Sequence, residues 1–277
     1  LFNNSTGMIH RTNTKTYIRS CAVTFDTNGF DPTVANALLA PAANGIDTMT
    51  LGGTATGYVG APVVVITGGG GVGAAAVATF DPATGTVTGI TITSKGSGYT
   101  SAPTIPLVGG NGGSTGAGAG TATATATIAA VTGGGLTKTN TGVLTLSAAN
   151  TYTGATSISA GTLKLASTGS INNSSGISVA GGATFDVSAL SYTLGSVAAQ
   201  TLRGAGNVTG AVSLASGSTV AAGINASTIG TLAFSSTLAG TSGATFSLKL
   251  DSTAGTFDLL TASGAATLGS ATLALTD

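Results

Sequence analysis

The chain contains no tryptophan, no glutamate, a single histidine and a single cysteine, and only 6% of its 277 residues are charged. Each scarcity excludes something. Soluble domains commonly devote about 25% of their residues to charge, and acid, base and nucleophile chemistry draws mainly on His, Asp, Glu, Lys, Tyr and Cys. With His10 and Cys21 alone of their kinds, no catalytic apparatus is expected, and the chain is read as a non-enzyme. Eight basic residues balance eight aspartates to a net charge of zero, so the positive field that captures a phosphate backbone is missing and nucleic acid is not expected as a partner. One cysteine closes no internal disulfide. Cys21 shares an i, i+2, i+4 spacing with Val23 and Phe25, one face of a strand, which suits a buried thiol, against the reading as an intermolecular disulfide. No apolar run reaches the roughly 18 residues of a membrane helix; the stretch from Ala61 to Thr67 is of strand length. Nothing near Leu1 reads as a secretion leader, so any such segment is expected to have been removed or to lie outside this sequence.

What is plentiful is glycine, 45 residues, beside a hydrophobic content of 42%. So much apolar side chain with so little charge describes a folded chain rather than a disordered one. Its local pattern is short alternation of apolar and small polar residues, broken by Gly, Asn and Ser at roughly 8 to 12 residue intervals, the signature of successive short strands. Leu144–Leu146, Thr156–Ile158, Thr162–Leu165, Thr184–Val187, Ala211–Leu214, Thr231–Phe234, Phe246–Leu250 and Ala271–Leu275 all follow it. From Asp31 to Pro41 two readings compete: Asp31, Pro32 and Pro41 could start and stop a helix, whereas Val34, Asn36 and Leu38 suit an extended segment.

A second repeat is explicit. Gly57-Tyr58-Val59-Gly60-Ala61-Pro62 returns 41 residues later as Gly98-Tyr99-Thr100-Ser101-Ala102-Pro103, each copy followed by an apolar strand, a glycine run and an Ala/Thr-rich strand. Two copies are too few for a freestanding stacked array. Residues 44–131 are therefore read as an inserted glycine-rich β lobe, between N-terminal coils at 1–43 and a repeat region at 132–277. Outside the lobe, one apolar stripe per strand and small residues at the turns predict an all-β right-handed parallel β-helix, a solenoid of about 20 residues per coil. An antiparallel β-sandwich is the alternative that the same alternation permits.

Gly133-Gly134-Gly135-Leu136-Thr137-Lys138-Thr139-Asn140-Thr141-Gly142-Val143-Leu144-Thr145-Leu146, continuing through Asn150-Thr151-Tyr152-Thr153-Gly154 to Gly161-Thr162-Leu163-Lys164-Leu165, resembles the autotransporter-associated β-strand repeat. The chief departure is Asn140, where that family commonly has Gly. Phe25 to Phe30 and Val34 to Leu39 resemble the coil that precedes such a unit, which favours an extended Asp31–Pro41, and 229–277 resembles the strands that close such arrays. The resemblance implies a secreted or surface-displayed bacterial protein with a structural or adhesive role. It supplies no catalytic residues.

Motifs of chemistry are present only by chance of composition. Gly68 to Gly73 satisfies G-x-G-x-x-G, but no βαβ unit and no acidic residue follow at the needed distance. Gly112-Gly113-Ser114-Thr115-Gly116 matches a nucleophile elbow, yet His10 lies upstream of it. The glycine tracts hold no Asp for calcium, the aspartates are too scattered to pair by spacing, and neither metal nor cofactor is expected. Two sets of candidates remain. Tyr58 and Tyr99 offer faces on which a surface glycan or matrix sugar could stack, against a bland reading as turn packing beside Pro62 and Pro103. Arg11, Lys15 and Arg19 near one end and Asp251, Asp258 and Asp277 near the other carry opposite charge. That asymmetry suits head-to-tail association with further copies of the chain, against the bland reading of solvated surface charge.

Overall fold

The computed structural model describes residues 16–18, 22–41, 44–53, 55–110, 122–131, 133–225 and 227–277. Every regular element among them is a strand, and none is a helix long and apolar enough to cross a membrane. Cys21 lies outside the described residues. The chain divides into two compact units, Leu1–Ala40 with Thr132–Asp277, and Pro41–Val131.

The first unit is built from short strands in parallel ladders. One ladder runs Val23–Asp26, Leu136–Thr139, Thr156–Ile158, Gly176–Val179, Thr201–Gly204, Thr219–Ala222, Thr245–Asp251 and Thr272–Thr276. A second runs Thr33–Val34, Val143–Leu146, Thr162–Leu165, Thr184–Asp186, Asn207–Thr209, Thr231–Phe234 and Leu259–Ala262. A third joins Tyr192–Leu194, Val212–Leu214, Leu238–Ala239 and Ala266–Thr267. From residue 192 on, the chain visits the ladders in rotation. Asp31–Pro41 is extended, with strands at Thr33–Val34 and Leu38–Leu39. Among the described residues of this unit, antiparallel pairing, on which a sandwich would rest, occurs only between Leu250–Asp251 and Thr256–Phe257 and at the isolated bridge of Gly204 with Gly223.

Alternation dictates this packing. In each strand odd and even side chains face opposite sides, so Leu163 and Leu165 are buried while Thr162 and Lys164 are half-exposed. Register stacks like on like: Leu144 stands over Leu163, Leu163 over Phe185, Phe185 over Val208 and Val208 over Phe234. All five are buried, and each such side chain contributes about 1.5–3 kcal/mol. Phe185 also meets Tyr192 edge to face at 5.4 Å.

Polar groups inside this core are paired across windings. The Asn150 side chain accepts from Leu38 N (2.9 Å) and donates to Ala148 O (2.8 Å) and Ser170 O (2.9 Å), tying three stretches of chain together. Tyr152 and Thr156 share a hydroxyl contact of 2.7 Å, Thr156 and Ser174 one of 2.9 Å. Gln200 donates to Ile171 O and Ser174 O and accepts from Gly195 N and the Tyr192 hydroxyl. Asn140 sits at φ 58, a conformation Asn adopts more readily than most residues. Its side-chain amide donates to both carboxylate oxygens of Asp26, at 2.8 and 3.0 Å, a bond that Gly could not make.

The second unit is antiparallel. A four-stranded sheet has the order Asn44–Gly52, Thr123–Ala130, Ile105–Val108, Val63–Val64, and Val72–Asp81 pairs with Thr86–Ser97. Two small cores fill it, one around Ile46, Tyr99 and Ile105, the other around Tyr58, Val87 and Ala122.

Candidate functional site

The two tyrosines are not sugar platforms. Tyr58 is 4% exposed and Tyr99 3%. The Tyr58 hydroxyl accepts from the buried Ala122 N–H at 3.0 Å, and the Tyr99 ring lies so close over Gly71 that a Cβ there would overlap it. The expectation of an exposed stacking face is thereby corrected: glycine runs clear the backbone opposite each ring, and the rings fill that space as core. Tyr58→Phe is expected to destabilise this unit by about 1–3 kcal/mol, because it strands a buried N–H; thermal unfolding measures it, and an unchanged midpoint would show that Ala122 finds another partner.

The charged candidates separate on inspection. Arg11, Lys15 and Arg19 lie outside the described residues. Asp258 is 5% exposed. Its carboxylate accepts from Gly230 N (2.8 Å) and Lys249 N (2.9 Å) and pairs with Lys249 Nζ at 3.2 Å. It presents no charge to a second copy, which corrects its place among the association residues. A buried carboxylate keeps its charge only when paired within the fold, and here the extended strand and the 223–230 loop supply the donors. Asp251 and Asp277 remain nearer the surface. Asp251 accepts from Ala254 N at 2.8 Å, and Asp277 from the Ser252 hydroxyl at 2.6 Å and Ser252 N at 2.9 Å.

Those two bonds from Ser252 hold the Asp277 carboxyl below its usual range. A carboxyl depressed by folding supports the folded turn above its unfolded pKa of about 3.9 and loses that support as the pH falls through the folded value. An NMR titration is expected to place the Asp277 midpoint below that of an unpaired carboxyl, and Ser252→Ala is expected to return it upward; a midpoint unmoved by Ser252→Ala would discount the hydroxyl bond.

Two concave features accompany these residues. A cleft of about 640 Å³ is lined by Arg203, Asn225, Ser247, Lys249, Asp251 and Asp277 among others. Its sides are braced by Lys249, whose ammonium reaches Asn225 O and Thr228 O as well as Asp258. Sequence reading passed over Arg203 and Lys249 because neither belongs to a motif; only the ladder register, Arg203 beside Ala221 and Ala221 beside Ser247, sets the guanidinium over small neighbours.

The second feature is apolar. A cavity of about 200 Å³ is lined by Leu238, Phe246, Leu248, Leu260, Leu268 and Leu273 with neighbouring residues. It opens at the winding formed by Leu259–Ala262, Ala266–Thr267 and Thr272–Thr276, whose Leu268, Leu273 and Leu275 are about half exposed. Each of these strands pairs on one side with the preceding winding. Among the described residues no group of three or more His, Cys, Asp or Glu side chains converges.

The family model described as Passenger-associated-transport-repeat matches residues 136–165. That stretch comprises Leu136–Thr139, Val143–Leu146, Thr156–Ile158 and Thr162–Leu165, one strand from each of two ladders taken twice. Neither the curated proteins nor the solved structures yield a match.

Proposed function

We propose that this chain is a section of a bacterial surface-displayed passenger protein and that its role is mechanical rather than enzymatic. It forms a right-handed parallel β-helical rod bearing an inserted glycine-rich β lobe at 44–131, and serves as a surface stalk or, with further copies added head to tail, as a filament. The observation that carries this reading is the set of parallel ladders whose backbone bonds and stacked apolar columns run from winding to winding. The passenger-repeat match supports the cell-surface setting. A further winding, from following chain or from a second copy, would pair with the free strand edges and cover the cavity beside Leu268 and Leu273.

Electron microscopy of native surface material, with mass spectrometry of both termini, tests this. Regular filaments built from a unit of this length are the expected result for head-to-tail assembly, and a longer polypeptide containing this segment is the result expected for a stalk. A globular, unrepeated particle overturns both. Complementary charge steers polarity more than it adds affinity, so reversing Arg11, Lys15 and Arg19 is expected to slow filament growth in low salt and to have little effect in high salt. Growth unchanged at both salts would remove the electrostatic contribution and leave edge pairing.

A second reading, adhesion to surface glycans, draws support from the polar cleft at Arg203 rather than from Tyr58 and Tyr99. Glycan-array binding that disappears on Arg203→Ala would favour it; absence of binding across a broad array would count against it.

A further inference from the structure

The two Gly-Tyr-x-x-Ala-Pro copies do not fold side by side; each folds onto the other, and the contacts around the two tyrosines and the apolar strands occur twice. Tyr99 N donates to Asn44 O at 3.0 Å, and 41 positions away in each partner Tyr58 N donates to Gly85 O, also at 3.0 Å. Thr100 N and Ser101 N both donate to Gly69 O, while Val59 N and Gly60 N both donate to Gly110 O. The apolar strands cross antiparallel about their own centre: Val63 lies opposite Val108 and Thr67 opposite Thr104, with Val65 N bonded to Pro106 O at the midpoint.

The longer strands exchange in the same way. Val72–Asp81 of the first copy pairs with Thr86–Ser97 of the second, and Thr123–Ala130 of the second pairs with Asn44–Gly52 of the first. Both pairings carry a bulge at the corresponding place, between Thr79 and Phe80 and between Thr127 and Ile128, and the first has one more, between Ala75 and Ala76. The two cores match as well, Ile46 with Tyr99 in one and its counterpart Val87 with Tyr58 in the other.

Reciprocal contacts of this kind define an isologous interface, in which one surface is complementary to itself. We infer that the unit spanning residues 44–84 is a self-pairing module, and that a chain holding one unpaired unit recruits a second copy of itself through it. The recognition is by strand edges and by a tyrosine ring laid on a glycine run, so the partner is another chain carrying the same unit. In the present chain the connection at Asp81–Thr86 makes the second unit a tethered partner, which removes the translational cost of association.

The test removes residues 85–131, joining Thr84 to Thr132, in a Cys21→Ser background. Analytical ultracentrifugation is expected to show twice the mass of one chain. Val65→Cys in that shortened chain is expected to form a disulfide-linked dimer on oxidation, because the midpoint residue then faces its own copy. In the full-length chain Val65→Cys is expected to form no such cross-link, since its neighbour there is Pro106. A monomeric shortened chain whose circular dichroism still shows a folded first unit would overturn the inference. A dimer whose Val65→Cys form gives no cross-link on oxidation would overturn it too.

Discussion

Replacing Lys138 with methionine is expected to lower the stability of the unit formed by Leu1–Ala40 and Thr132–Asp277 by about 3 kcal/mol. Lys138 is 0% exposed and stands in an apolar column, with Phe25 on one side and Ile158 on the other. Its ammonium donates to Thr139 O (2.8 Å), Asn140 O (2.6 Å) and Ala160 O (3.0 Å), so one charge closes a turn in its own winding and reaches the next. Burial pulls its pKa down, while Asp26 and Asp31 oppose that pull. Methionine fills a similar volume but takes this donor from all three carbonyls, of which Thr139 O keeps the Thr27 amide, and a charged hydrogen bond lost inside the fold costs about 1.5–3 kcal/mol. For a unit of this size about 3 kcal/mol is a fall in melting temperature of roughly 6–12 °C. A change below about 1 kcal/mol would show that desolvating the ammonium cancels what its bonds contribute, as happens when a buried charge is replaced by a well-packed apolar side chain.

Gly142→Ala is expected to cost at least as much, for a different reason. Gly142 has φ +94, and a Cβ there would overlap the carbonyl of Phe30 and come within 2.9 Å of Gly29 C and 3.0 Å of Phe30 N. The overlap is with backbone of the neighbouring winding, so relief requires the two windings to separate. Gly182 supplies the control: its φ is +79, yet nothing lies within 4 Å of a Cβ built there. Gly182→Ala should cost only the conformational part, about 1–2 kcal/mol. Paired thermal melts decide between the two contributions. Equal losses at the two sites would mean that backbone conformation alone governs them and that the windings yield freely.

Much of the first unit was legible from single strands. The alternation at Leu144–Leu146, Thr162–Leu165 and Thr231–Phe234 marks strands that the structure contains. Gly176–Val179, Tyr192–Leu194 and Thr201–Gly204 escaped notice because each holds a glycine or ends against one, and so offers too short an apolar alternation to stand out. Of the third ladder, the alternation marks Val212–Leu214 and not Tyr192–Leu194. For Tyr58 and Tyr99 the sequence leaves stacking face and packing both open. A tyrosine between glycine and small residues has the local sequence of an exposed turn, and only the glycine run 41 residues out of step, brought over the ring by the exchange of strands, makes it core.

Side-chain alternation and turn preference are local properties, determined by the residues within one strand, and they account for the all-β character, the inward Leu, Val, Ile and Phe, and the extended Asp31–Pro41 segment. The partners of polar atoms are not local. Asp258 is a buried ion pair instead of a surface charge because Lys249 lies on the extended strand beside it. Lys138 is a clamp instead of a solvated lysine because the turn at Ala160 approaches it from the next winding. The two halves of the 41–131 unit could be matched by eye in the sequence, but their reciprocal pairing depends on which strand edge meets which, and the chain settles that only once it has closed on itself.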